Sequence, residues 1–278
     1  MLTSNEAPVN QPARSLLFVP GDRPDRYARA VDSGAQAVIL DLEDAVAPSA
    51  KVQARTDVAA WLSQGWRAIV RINAVDTEWF DDDVRMLRGM TGAGIMLPKA
   101  DAAALACLAQ VLPGRPVIAL LETVRGYVDL PAMARHPGVD RIAFGSVDFS
   151  VDSGIADEAD AMTAIRTAIV LASHQAGLAP PIDGVSLELN DPLQMAADAR
   201  RARQLGFGGK LCIHPRQVGA VNAAYQPSAD EQAWARRVLA AFDASQGAAC
   251  AVDGKMIDKP VVERARRIAA ESQRAVGA

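Results

Sequence analysis

The sequence predicts an α/β fold, a (β/α)8 TIM barrel with a C-terminal helical extension, from three observations. Short runs rich in Val, Ile and Leu recur every few tens of residues, most are followed by residues at helical spacing, and the runs number about eight. Most runs are apolar at consecutive positions, as in Ala37-Val38-Ile39-Leu40, which suits strands packed inside a barrel on one face and covered by helices on the other. A doubly wound open sheet is the competing architecture, but no G-x-G-x-x-G follows the first strand. At 278 residues the chain has room for one such barrel and a tail.

Taken in order, strands are expected at 15–20, 37–41, 68–72, 94–98, 116–122, 141–145, 182–187 and 209–213. Helices are expected at 23–33, 50–63, 78–87, 101–111, 159–176, 192–205 and 215–224. Gly34, Gly65, Gly177 and Gly206 follow four of these helices, where a left-handed residue ends the last turn. The barrel is assigned to 14–225, behind a mobile leader at 1–13 that contains Asn, Pro and Gln. Beyond it, helical patterns at 230–243 and 260–275 flank a small-residue stretch at 245–251. This extension, 226–278, is expected either to pack on its own barrel or to reach a neighbouring subunit.

Composition narrows the function. Half of the residues are hydrophobic and 22% are charged, enough apolar material for a sizeable core, so bulk disorder is excluded. With 29 Lys+Arg against 33 Asp+Glu the net charge is −4, which leaves no basic excess for nucleic acid or an anionic membrane. The longest apolar runs, such as Val117–Leu121, are strand-sized and far short of the roughly 18 residues of a membrane helix. Residues 1–14 lack the basic start and apolar centre of a secretory signal. Three cysteines (Cys107, Cys212, Cys250) without C-x-x-C spacing argue against a disulfide framework and fit a reducing cytoplasm.

In a barrel of this kind the active site lies at the carboxyl ends of the strands. The polar residues expected there are Asp41, Glu43 and Asp44, then Arg71 and Asn73, Lys99, Glu122, Asp148 and His214. Several carboxylates on one rim repel each other, and each loses several kcal/mol of solvation, so a cation is expected among them. Oxygen ligands with only three scattered histidines (His136, His174, His214) point to magnesium or manganese rather than zinc. Glu122 and Asp148, from adjacent strands, are the expected metal ligands. The competing reading is a structural ion network closed by Arg71 and Lys99.

These runs carry a resemblance. Arg14-Ser15-Leu16-Leu17-Phe18-Val19-Pro20-Gly21, Asp41-Leu42-Glu43-Asp44-Ala45-Val46-Ala47-Pro48, Val70-Arg71-Ile72-Asn73, Leu97-Pro98-Lys99, Leu121-Glu122-Thr123, Phe144-Gly145-Ser146-Val147-Asp148-Phe149 and Ile213-His214-Pro215 follow one another in order. From about Arg14 to the C-terminus the chain resembles the citrate lyase β-subunit-like (citryl-CoA lyase) family of the HpcH/HpaI aldolase superfamily. The resemblance implies a Mg2+-dependent carbon–carbon lyase that splits a 3-hydroxyacyl-CoA, such as citryl-, malyl- or citramalyl-CoA, into an acyl-CoA and an oxo acid, or runs the reverse condensation. It implies that Glu122 and Asp148 hold the metal, that Glu122 also meets substrate, and that Arg71 clamps the substrate carboxylate. The segment Gly254-Lys255-Met256-Ile257-Asp258 resembles one that relatives lay over a neighbour's active site, where the aspartate at the position of Asp258 is catalytic. A homo-oligomer, trimer or hexamer, is implied, and an acyl-carrier subunit is a possible further partner.

The chemistry accounts for these residue types. Cleavage must remove a hydroxyl proton, stabilise the oxygen as it becomes a carbonyl, and accommodate an enolate. Arginine offers a planar fork for a carboxylate. Asp41 is expected to order metal-bound water, and Glu43 or Asp44 to pair with a nearby base. Strands one and eight adjoin in a closed barrel, so Phe18, Pro20 and Arg23 with Lys210, Ile213, His214 and Pro215 form the expected shelf for the CoA thioester. A Schiff base at Lys99, with no need of metal or CoA, is the alternative chemistry. Trp61 and Trp66 read as packing, Asp81-Asp82-Asp83 as a solvated helix face, and Arg125 as a partner for substrate or for an acid.

Overall fold

The computed structural model describes residues 12–158, 160–245 and 248–276. Most of the leader expected at 1–13 lies outside the described residues. The chain divides into two compact units at Asn222/Ala223.

The first unit is a closed, all-parallel barrel in the order β1-β2-β3-β4-β5-β6-β7-β8, with β1 also paired to β8. The strands are β1 (Ser15–Pro20), β2 (Ala37–Asp41), β3 (Ile69–Arg71), β4 (Gly94–Leu97), β5 (Val117–Leu121), β6 (Val139–Phe144), β7 (Ile182–Asp183) and β8 (Gly209–Cys212). The helices are α1 (Tyr27–Asp32), α2 (Lys51–Ser63), α3 (Phe80–Arg88), α4 (Ala102–Val111), α5 (Val124–Val128), α6 (Leu130–Ala134), α7 (Ser146–Ser153), α8 (Thr163–Gln175), α9 (Pro192–Leu205) and α10 (Pro215–Ala224).

Side chains alternate along each strand, so every second residue enters the barrel. Leu16, Ile39, Met96, Leu120, Ala143, Ile182 and Leu211 meet there as one fully buried cluster. Each large member contributes about 1.5–3 kcal/mol by leaving water. Arg141 closes the amino-terminal end of the barrel, donating to the carbonyls of Pro180 at 2.5 Å and Ala13 at 2.6 Å.

Five elements depart from the sequence reading. Strand β7 keeps two residues where 182–187 were expected, because the Gly184 carbonyl is taken by Lys210 Nζ at 2.6 Å and leaves the sheet ladder. Helix α7 follows β6 at once, and α5 and α6 fill the connection after β5. All three are short, of eight residues or fewer, below the length at which helical spacing is readable. Helix α8 begins at Thr163 rather than 159; residue 159 lies outside the described residues.

The second unit holds α11 (Ala229–Ala244), a hairpin of β9 (Cys250–Val252) and β10 (Lys255–Ile257), and α12 (Lys259–Val276). Ser228 and Glu231 form a reciprocal capping box at the start of α11. Asp253 and Gly254, both left-handed, turn the hairpin, a signal present as Asp-Gly just beyond the small-residue stretch but not read as strands. Ala235, Val238, Ile257, Val262, Ala265 and Ile268 form its core. Among the described residues no helix is long and apolar enough to cross a membrane.

Candidate active site

The rim inherits its geometry from the strand period. Two residues beyond the inward-facing Leu16, Ile39, Leu120 and Ala143 come Phe18, Asp41, Glu122 and Gly145. The register sets Pro20 beside Asp41 and Asp41 beside Arg71.

Asp41 holds Arg71 in a fork, accepting from Nε at 2.8 Å and Nη2 at 2.5 Å. The same carboxylate accepts the backbone N–H groups of Glu43 at 2.9 Å and Ala45 at 3.2 Å. The expected role of Asp41, ordering metal-bound water, therefore gives way to fixing Arg71, since both its oxygens are occupied. Glu43 sits between two cations, with Arg71 Nη1 3.1 Å from one oxygen and Lys99 Nζ 3.2 Å from the other. The Phe18 ring lies 4.8 Å from the Arg71 guanidinium.

Glu122 is 2% exposed and accepts the Lys99 backbone N–H at Oε1, 2.7 Å away. Asp148 is not at a strand end as expected but in the first turn of α7, where its exposed side chain has no hydrogen bond or ion pair to any described residue. Neither carboxylate has a cationic side chain at ion-pair distance among the described residues.

Burial, above all, pushes Glu43 up to about 7, against the pull of Arg71 and Lys99. Burial and then the Glu43 charge push Glu122 up to about 8, with Asp148 adding to the rise and Arg71 and the Lys99 amide opposing it. Burial would lower Arg71, but the hydrogen bonds and charge of Asp41 outweigh it and hold the guanidinium above its usual value. Burial likewise works against Lys99, and the Glu43 charge raises it. A paired lysine held above its ordinary value is the ammonium, not the free amine a Schiff base needs.

Behind the rim lies a buried network that the sequence reading missed. Lys51 Nζ donates to the carbonyls of Leu42 (2.7 Å) and Glu43 (2.8 Å) and to Asn73 Oδ1 (2.6 Å). Asp83 accepts from the Asn73 backbone N–H (2.9 Å), Asn73 Nδ2 (2.7 Å) and Arg55 Nε (2.9 Å). Asp83 thus corrects the reading of 81–83 as a solvated face. Phe80, Asp83, Val84 and Leu87 are the buried residues of α3, a helical spacing that would have placed Asp83 inward.

The expected CoA shelf is divided. Pairing of β1 with β8 brings their ends together, with Ile213 and Pro215 exposed and His214 half-buried, its Nδ1 accepting from the Arg216 N–H at 3.1 Å. Pro20 is half-buried at the end of β1, and Arg23, also half-buried, pairs with Asp25 at 2.9 Å. Lys210 does not belong to the shelf. It is 2% exposed and bound to Asp183 at 3.2 Å, which also binds Arg166 at 2.8 Å, so its ammonium cannot meet a solvent phosphate. Arg125 pairs with Asp101 at 2.7 Å, and Trp61 stacks on Trp66 at 4.6 Å. In the second unit Asp258 follows β10 and accepts the Val261 N–H at 3.3 Å, opening α12. An apolar cleft of about 370 Å³ at the amino-terminal ends of β5 and β6, walled by Leu108, Pro116 and Val139, lies at the end of the barrel opposite the rim.

A divalent ion fits the donor set. Among the described residues no three His, Cys, Asp or Glu side chains form a complete cage. Two oxygen donors without cationic partners, beside Asp41 and Glu43 that are neutralised by Arg71 and Lys99, suit Mg2+, which takes one or two carboxylates and completes its shell with water or substrate.

Comparison with known proteins places the fold in a family. Residues 14–215 match the family model HpcH/HpaI aldolase/citrate lyase. A citrate lyase subunit beta-like protein of Mycobacterium tuberculosis is 40% identical over 258 residues, covering 90% of this chain and 92% of that protein. A (3S)-malyl-CoA thioesterase of Cereibacter sphaeroides is 34% identical over 273 residues, covering 94% and 95%. The crystal structure of CitE from Mycobacterium tuberculosis in complex with magnesium, acetoacetate and coenzyme A superposes with a TM-score of 0.84 at 36% identity, covering 94% of this chain and 98% of that one. With its eight strands closed into a barrel and residues 14–215 matching the family model, the chain is an enzyme of the HpcH/HpaI aldolase/citrate lyase family.

Proposed function

We propose that the chain is a Mg2+-dependent carbon–carbon lyase that cleaves, or forms, a 3-hydroxyacyl-CoA such as citryl-, malyl- or citramalyl-CoA, giving an acyl-CoA and an oxo acid. The observation that carries it is Glu122 and Asp148, two carboxylates without cationic partners that act on each other's charge, with an arginine fixed in place by Asp41 near Glu122. The magnesium of the Mycobacterium tuberculosis CitE complexes supports the choice of ion, and manganese has the same donor preference.

Glu122 and Asp148 would hold the ion, which when bound supplies a Lewis acid for the substrate hydroxyl and carboxylate oxygens. Arg71, with one edge of its guanidinium on Asp41, keeps the remaining N–H groups of Nη1 and Nη2 for the carboxylate that becomes part of the oxo acid. Glu43, held between Arg71 and Lys99, keeps these two cations apart and oriented. Asp258, from the C-terminal unit of a neighbouring copy, would give the enolate the proton that makes it acyl-CoA, or take that proton from acyl-CoA in the reverse direction. The thioester would lie along Phe18, Pro20 and Arg23 and along Ile213, His214 and Pro215, with Lys210 left out.

The test is mass spectrometry of products after purified protein meets citryl-, malyl-, citramalyl- and methylmalyl-CoA with Mg2+ or with EDTA. Paired acyl-CoA and oxo acid from one substrate, lost in EDTA, supports the proposal. Release of free CoA without an oxo acid would mean thioester hydrolysis, the activity in the name of the Cereibacter sphaeroides relative. Turnover that survives EDTA would overturn the metal. Stoichiometric capture of an acyl-carrier protein from native lysate would instead make the chain one subunit of a larger citrate lyase.

A further inference from the structure

Lys99 is the one non-glycine residue of the described barrel with a left-handed backbone, at φ 47°. Its side chain gains nothing there that a more relaxed conformation would deny to a long, flexible ammonium, and such a backbone is unfavourable for any residue with a Cβ. What the conformation does is turn the amide N–H of Lys99 onto Glu122 Oε1 at 2.7 Å. On the next strand Gly145 lies against the other side of the same carboxylate. A Cβ at residue 145 would sit 2.5 Å from Glu122 Cβ and 2.7 Å from Glu122 Oε2. Gly145 has φ −86°, so its backbone does not call for glycine, and the need is for space. Three residues further on comes Asp148.

We infer that Lys99 and Gly145 are positioning residues that hold Glu122 in a single rotamer, the Lys99 amide fixing Oε1 and the missing side chain of Gly145 leaving Oε2 free on the side of α7, toward a divalent cation. This rests on the reading of Glu122 as a metal ligand. It assigns the role of Lys99 to its backbone, and it explains why strain is kept at this turn: the conformation is held because it aims a donor.

Two comparisons test it. Lys99→Gly and Lys99→Val both lose the ammonium, but glycine accepts the left-handed turn and valine resists it. By isothermal titration with Mg2+, Lys99→Val should bind at least about tenfold more weakly than Lys99→Gly, the range seen when a group orienting a metal ligand is removed. In EDTA, Lys99→Gly should also melt at least about 2–4 °C higher than Lys99→Val. Equal affinities in the two variants would overturn the role of the Lys99 backbone.

Gly145→Ala should lower Mg2+ affinity at least about tenfold. Its effect on melting in EDTA should vanish when Glu122→Gly removes the whole side chain it collides with, Cβ included. A Gly145→Ala effect of the same size in both backgrounds would show that Glu122 is not its target. If the single variant fails to fold, refolding of the double variant supports the inference, and failure of both overturns it. A wild-type chain that takes up no Mg2+ would overturn the metal reading alone, since the Gly145→Ala comparison in EDTA, with and without the Glu122 side chain, still decides whether Gly145 makes room for Glu122.

Discussion

At Glu122 burial and crowding act in the same direction, and both resist the charge that a metal ligand must carry. Between the ordinary carboxyl value of 4.5 and the raised values of about 7 for Glu43 and about 8 for Glu122, the folded chain keeps protons that the unfolded chain has lost. Raising the pH through this window therefore destabilises the metal-free fold, and above pH 8 the loss is complete. Glu122→Gln removes the larger contribution and should stabilise the EDTA-treated protein by about 1–3 kcal/mol at pH 8 while leaving it nearly unchanged at pH 4.5. It should also abolish stabilisation by Mg2+ and turnover. Melting curves in EDTA and in Mg2+ across pH 5–9 are the measurement, and a variant as pH-sensitive as wild type would count against the buried charge. Arg71→Lys keeps the charge but loses the planar fork on Asp41, so kcat/KM should fall by at least about a hundredfold, roughly 3 kcal/mol. Unchanged kinetics would mean that the substrate carboxylate is held elsewhere.

Among the elements, the loop from β2 into α2 depends on groups that never reach the substrate. Lys51 ties the carbonyls of Leu42 and Glu43 to Asn73, and Asp83 of α3 holds Asn73 in turn. Asp83→Ala leaves the Asn73 amide groups and Arg55 without their shared acceptor, which should cost about 3 kcal/mol and lower the melting temperature by about 6–12 °C. A loss below 1 kcal/mol would show that water replaces the carboxylate. None of this was legible from charge patterning, because Asp81-Asp82-Asp83 reads as one acidic run and only the positions of Phe80, Val84 and Leu87 separate Asp83 from it. The strands were legible, because a buried parallel strand is a continuous apolar run, and their ends named Arg71, Lys99 and Glu122 correctly as rim residues. Residue Lys210 misled for the same reason. A strand-end lysine reads as exposed unless its acceptors, Asp183 and the Gly184 carbonyl, are known to lie beneath the helices. Helix α7 was hidden because its eight residues follow β6 with no loop between, so Asp148 read as part of the strand end.

For the whole molecule the question is which copy of the chain completes a site, since Arg71 belongs to the barrel unit and Asp258 to the C-terminal unit. If each site takes Arg71 from one copy and Asp258 from the next around a closed ring, two inactive variants complement each other. Arg71→Ala chains still offer an intact Asp258, and Asp258→Asn chains still offer an intact Arg71. In oligomers assembled at random from equal amounts, one site in four pairs an intact barrel with an intact neighbouring tail, so activity should return to about a quarter of wild type, whatever the ring size. Co-expression in equal amounts, with one purification tag common to both variants, keeps the random mixture intact, and each variant alone sets the baseline. If the tail instead serves its own barrel, every chain in the mixture carries one defect in its own site and no activity returns. A single-chain species in sedimentation that retains full turnover would decide the same way, because a monomer has no neighbour to supply Asp258.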